Sequence, residues 1–305
     1  MSAARIAMAP AARPEIRTSA LGLLRGELRK IIHLRITWVM AVVMTVMVIG
    51  SQLILISGPK NVSDMRNAPL QSYYQALEGD IAIVRVLSGI FILVLAAHVV
   101  GLEYQYGTIR VLLARGVGRL HLLGAKVAAL ALVGLALTAL EVLIELAFAW
   151  GLSLALADGG QPWRALGATY WANLRLYLAY LVLNLVVSLL LSVAASVVGR
   201  SLAFGLAVGL SWFAVDNLLT IPLSLLAQVT HNDFWPNLSG ALLGPLLNRL
   251  PDYILAPDHS ISVGGFGPQP LVAVPASHAL LVIGVYAAIF LAVAISLTWR
   301  RETLD

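Results

Sequence analysis

Six stretches of about 20 or more apolar residues, near 37–57, 83–102, 126–151, 171–198, 202–226 and 278–299, leave this chain few folds to choose from. A helix crossing ~30 Å of hydrocarbon needs about 20 such residues. With 60% hydrophobic and 11% charged residues among 305, and a mean hydropathy of +0.88, a water-soluble globule is excluded. The expectation is an all-α polytopic membrane protein with six transmembrane helices. The first stretch follows Arg25, Arg29, Lys30 and Arg35 as a signal peptide's apolar core would. Its core is too long for that and no A-x-A site follows, so it reads as an uncleaved span. The chain has no Cys, which removes disulfides, thiolate metal sites and cysteine nucleophiles.

The basic residues sort to one side of these spans. Seven precede the first (Arg5, Arg13, Arg17, Arg25, Arg29, Lys30, Arg35), four lie in 103–126 (Arg110, Arg115, Arg119, Lys126), and Arg200, Arg300 and Arg301 follow. The other side has Lys60, Arg66, Arg85, Arg164, Arg175 and Arg249, with Asp64, Glu78, Asp80, Asp158, Asp233, Asp252 and Asp258 in its loops. Translocating basic residues is disfavoured, so both termini are expected in the cytoplasm of a plasma-membrane protein. The net charge of +5 thus reports sidedness, and no nucleic-acid partner is expected.

Residues 1–17, rich in Ala, Arg and Pro, read as a disordered cytoplasmic tail, and 18–305 as one transmembrane domain. Over 18–36, Leu21, Leu24, Leu28 and Ile31 recur at spacings of three and four, opposite Arg25, Arg29, Lys30 and His33. Thr18 or Ser19 would cap this helix. It would lie in the inner interface, leucines among acyl chains and cations among headgroups. An ordinary extension of the first span is the alternative. Residues 227–277 carry seven prolines and read as a cap of short helices over the outer mouth.

Soluble-enzyme motifs are absent. Between Gly118 and Lys126 the phosphate-loop pattern fails, because Ala125 separates Gly124 from Lys126 and Val127 stands where a hydroxyl would bind Mg²⁺. His98 reads as a packed or interfacial histidine. The informative stretch is 103–126, E-Y-Q-Y-G-T-I-R-V-L-L-A-R-G-V-G-R-L-H-L-L-G-A-K, between the second and third spans. Gly107 permits a sharp turn, Thr108 can cap a helix running to Arg115, and Gly116 can stop it. Ile109, Leu112 and Leu113 would form an apolar face beside Arg110. That face suits either a partner's groove or the interface with arginine snorkelling.

Glu103-Tyr104, Gly107-Thr108-Ile109-Arg110, Ala114-Arg115-Gly116-Val117, Arg119 and Ala125-Lys126 resemble the cytoplasmic loop of ABC-2 type ABC transporter permeases. The six spans, the helix before the first and the Pro-rich outer piece are similar to that family over about 18–305. The resemblance implies a half-transporter of the ABC-2 exporter type. Its coupling segment would comprise Glu103, Tyr104, Tyr106, Gly107, Thr108, Ile109, Arg110, Leu112, Leu113, Arg115 and Arg119. It would meet a separately encoded P-loop ATPase that holds ATP and Mg²⁺, with no cofactor on this chain. Two permeases, identical or paralogous, would assemble with two ATPases. The Ala- and Leu-rich third span departs from the family and leaves the substrate open.

Charges within the spans are the second signal, since each costs several kcal/mol at mid-bilayer. Glu141 and Glu145 share a face of the third span. Glu141 lies about 22 Å above Lys126 and Asp216 about 24 Å above Arg200 at ~1.5 Å per residue. Arg175 and Arg85 are the candidate counter-ions, with Arg175 expected to hold Glu145. These residues form either a cargo or cation site or a structural ion-pair network. Gly205 and Gly209 form a small-residue patch suited to packing within the protomer or at a dimer seam. The competing function is an ion-coupled secondary transporter or channel relaying protons or cations through Glu141, Glu145 and Asp216.

Overall fold

The computed structural model describes residues 19–58, 63, 67–114, 116–156, 166–258 and 264–300. The tail 1–17 and Lys60, Asp64, Arg66, Arg115, Asp158, Arg164 and Arg301 lie outside them. Among the described residues there is no strand, and six helices are long and apolar enough to cross a membrane.

Helix α1 (Ala20–His33) ends at Leu34, whose extended backbone turns the chain into α2 (Arg35–Ser57). The freed carbonyls of this corner are satisfied by side chains from the next turn: the Thr37 hydroxyl donates to Ile31 O and the Trp38 indole to Ile32 O, both at 2.8 Å. Ser19 takes the N-cap position with no side-chain bond. Leu24 and Leu28 pack against the inner protein core, and Ile31 is fully buried. The leucine stripe is thus shared between protein and bilayer, with Leu21 exposed.

Helix α3 (Pro69–Ala96) runs through a π turn (Ala97–Gly101) into α4 (Leu102–Gln105). Pro69 at its start needs no hydrogen-bond acceptor and presets the helical φ. The helix therefore begins well before the apolar stretch, and Glu78 and Asp80, expected in an outer loop, are helical. A hydropathy pattern marks where the apolar run starts, while the helix continues wherever its polar turns find partners. Then come α5 (Thr108–Ala114), α6 (Arg119–Leu156), α7 (Ala168–Gly199), α8 (Leu202–Leu218) and α9 (Thr220–Thr230). The short α10 (Phe234–Ser239) and α11 (Leu243–Ile254) precede the last span, α12 (Ala276–Arg300).

Helix α7 is the centre, packed by α3, α8 and α12. Its Ser188, Ser192 and Ser196 are buried at four-residue spacing, and Ser192 donates to Leu93 O at 2.7 Å. Opposite them stand Gly89, Gly209 and Gly205 of α3 and α8. Small residues on both sides let the backbones approach where lipid supplies no hydrophobic drive. Outward, Tyr74, Tyr170, Tyr177 and Tyr180 join Leu243, Leu246, Leu247 and Leu250 in an outer core. These leucines form the buried face of α11, so this piece of 227–277 packs on the bundle.

Candidate functional site

At the basic side of the bundle, two turns with positive φ bracket α5. Gly107 has φ +67° and Gly116 φ +84°, and a Cβ at either position would meet nothing within 4 Å. These positions ask only for backbone freedom. The Gly116 N–H bonds Leu113 O at 2.9 Å and Val117 N–H bonds Leu112 O at 3.4 Å. That pair closes the helix as a Schellman motif with glycine in the left-handed position. Thr108 is already the first helical residue, and its hydroxyl donates back to Glu103 O at 3.4 Å. It braces the preceding turn and does not cap the helix as expected. Tyr106 is 72% and Val111 54% exposed, whereas Ile109, Leu112 and Leu113 are half-buried. Only the backbone of Arg110 is described.

Directly before this helix stands a charged quartet. Glu103, buried, pairs with Lys30 of α1 through one oxygen and with Lys126 of α6 through the other at 2.8 Å. Lys126, 2% exposed, also donates to Glu27 of α1 at 2.8 Å. Two cations and two anions balance, and each buried charge has an opposite partner, which such charges require. The quartet pins α1, α4 and α6 at the root of α5. Arg119, at the start of α6, reaches the Trp299 carbonyl of α12 at 3.3 Å. Just above, the Ala97–Gly101 π turn lets Gly101 lie flat on the turn between α7 and α8. A Cβ there would stand 2.8 Å from the Leu202 and Ser201 backbone.

A second polar group lies in the opposite half of the bundle. The Thr45 hydroxyl donates to Glu141 at 2.6 Å, and Gln52 donates to Glu145. Asp80 is within hydrogen-bonding reach of both Gln52 and Glu145. Glu141 is fully buried and Glu145 nearly so. Among the described residues no three acidic or His side chains converge to hold a metal ion.

A family model described as ABC-2 family transporter protein matches residues 21–303, nearly the whole chain. The chain belongs to this family. It is therefore a permease component of an ABC transporter, a multi-pass membrane protein of a family that lacks an ATPase domain and normally works with an ATPase partner. No curated protein matches the chain.

For the permease, several expected pairings give way to others. Arg175 is exposed and bonds its own helix at Trp171 O, so it does not hold Glu145. An exposed guanidinium keeps solvent or headgroups instead. Arg85 is not a counter-ion of either glutamate: it donates to Asn248 Oδ1 at 2.9 Å and Phe266 O at 3.2 Å, with the Tyr180 ring 5.8 Å away. Asp216 is buried apart from the glutamates and accepts the Gly244 N–H, stabilising the first turn of α11 from a neighbouring helix. Gly205 and Gly209 pack within the protomer: their Cβ positions face Ser196, Ala97 and Leu93. Glu103 and Arg119 sit against other elements of the same chain, and among the described side chains the exposed members of the coupling segment are Tyr106 and Thr108. Glu27, Gln52, Asp80 and Asn248 went unnoticed as site residues. Glu27 carried a signal, an acid alone among the cations of α1 at one turn from Lys30.

Proposed function

We propose that this permease is the membrane-spanning subunit of an ATP-driven exporter, coupled to a separately encoded P-loop ATPase through α5. The carrying observation is the mounting of that helix: freely turned at Gly107 and Gly116, exposed at Tyr106 and Val111, and rooted in the Glu103 quartet that ties together α1, α4 and α6. A push on α5 is thereby delivered to three elements at once. ATP and Mg²⁺ belong to the partner, two permeases pair with two ATPases, and both termini face the cytoplasm at the plasma membrane. Even span number and the basic residues around α1 and α5 support that sidedness.

The test uses the absence of native Cys, which makes any introduced thiol unique. Tyr106→Cys in intact cells should resist a membrane-impermeant maleimide, and Phe266→Cys, 62% exposed in the wild type, should react. The reverse pattern overturns the sidedness. One observation favours a second reading, ion-coupled transport: the carboxyls of Glu141 and Glu145 are buried one turn apart, with the neutral Thr45 and Gln52 as their donors. Cargo movement that persists with ATP exhausted and follows an imposed proton gradient would select it.

A further inference from the structure

We infer that the cleft around Arg85 binds an amphiphile with an anionic phosphate head, of the kind presented by the outer leaflet. Arg85 is 5% exposed, yet among the described residues no carboxylate lies within 4 Å of its guanidinium. Its contacts are neutral: the Asn248 amide oxygen, the Phe266 carbonyl and the Tyr180 ring. A buried cation held only by neutral groups leaves a net positive charge in a low-dielectric site, which an anion would complete.

The place matches such a ligand. Arg85 is twenty residues from Gln105 at the inner end of the continuous α3–α4 helix, about 30 Å at 1.5 Å per residue, which is the thickness of the hydrocarbon core. Arg85 therefore stands at the level of the outer phosphate layer. Beside it opens a cleft of about 230 Å³ between α3, α7, α8 and α11. Asn184, Ser188 and Asn217 supply polar groups next to Arg85, and Ile90, Leu210 and Phe213 line the remainder. This volume falls below the roughly 300 Å³ of sites that enclose a whole drug-sized ligand, so it takes a head and the first part of a chain. Ile90 and Leu210, 38% and 43% exposed, continue the apolar wall outward for the rest of the chain.

The guanidinium would give a phosphate charge-assisted hydrogen bonds from donors not committed to Asn248 and Phe266. That this ligand is cargo rests on the export reading above; that it binds does not.

The purified permease in a maltoside detergent, which carries no phosphate, is titrated with dodecyl phosphate below its micellar concentration and followed by calorimetry. Saturable binding is expected, weakened about tenfold or more in Arg85→Gln, the loss of a charge-assisted bond. Because Arg85→Gln can fail to fold, Leu210→Trp serves as the second variant. It fills the mouth and leaves Arg85 in place, so binding should weaken while the melting temperature without ligand is unchanged. Inorganic phosphate should bind far more weakly than dodecyl phosphate. Equal affinity in wild type and both variants overturns the site, and inorganic phosphate binding as tightly as dodecyl phosphate overturns the amphiphile. Bound dodecyl phosphate that leaves the hydrolysis of the associated ATPase unchanged counts against its being cargo, and leaves the site standing.

Discussion

Replacing Lys126 by Met tests whether the quartet at the root of α5 holds this end of the bundle together. Lys126 is nearly inaccessible, pairs with Glu27 and is one of two cations on Glu103. Met keeps most of the side-chain length and removes the charge. Glu103 retains Lys30, which is 41% exposed, whereas Glu27 is left buried without its cation. Losing one member of a buried pair costs about 3–5 kcal/mol. At roughly 2 °C per kcal/mol, this lowers the melting temperature in detergent by about 6–10 °C. Glu27→Gln in the same chain removes the stranded charge and should recover a large part of that loss, giving a coupling of more than about 1 kcal/mol in the cycle of the two single changes and the double. A Lys126→Met protein melting within a degree of wild type, or a double variant no more stable than Lys126→Met, would refute the reasoning.

Gly107→Val should impair coupling much more than Gly107→Asn, because Asn adopts the left-handed region and a β-branched residue pays more than about 1–2 kcal/mol there. ATPase stimulation by cargo in the two variants measures the difference. Gly101→Ala should destabilise by about 1–3 kcal/mol, since its Cβ would press on backbone 2.8 Å away; thermal melting decides, and an unchanged midpoint contradicts the close approach at the π turn. Glu141→Gln should leave the melting temperature nearly unchanged: the amide oxygen still accepts from Thr45, and no arginine is stranded, because Arg85 and Arg175 bond elsewhere. A loss as large as that expected for Lys126→Met would show an ion pair at Glu141.

The spans and the turn glycines were legible because their signals are local. An apolar run reports its own solvent, and Gly107 and Gly116 report the φ of their own backbone. Charge partners were not legible, because sequence distance says nothing about which helices meet. Glu141 and Glu145, one turn apart, find Thr45 and Gln52 of α2 and Asp80 of α3. Hydropathy puts Asp80 in a loop, and the start of α3 at Pro69 brings it inside the helix. Depth alone puts Asp216 with the glutamates. Equal depth fixes one coordinate of three, and the helix it serves, α11, lies in a Pro-rich stretch that periodicity describes poorly. The π turn has no sequence signal beyond Gly101 itself, whose need for close packing is set by the chain around Leu202.

Docking of α5 on an ATPase can be read with a photoactivatable maleimide on Tyr106→Cys. The side chain at this position is exposed, next to α5, and its thiol is unique in the chain. Irradiated in native membranes, it should form a covalent adduct with a P-loop ATPase, with a yield that changes on adding ATP, while the same probe at Phe266→Cys gives none. An ATPase that co-purifies with the permease but is never captured from Tyr106→Cys, or is captured equally from Phe266→Cys, would show that α5 is not the docking element.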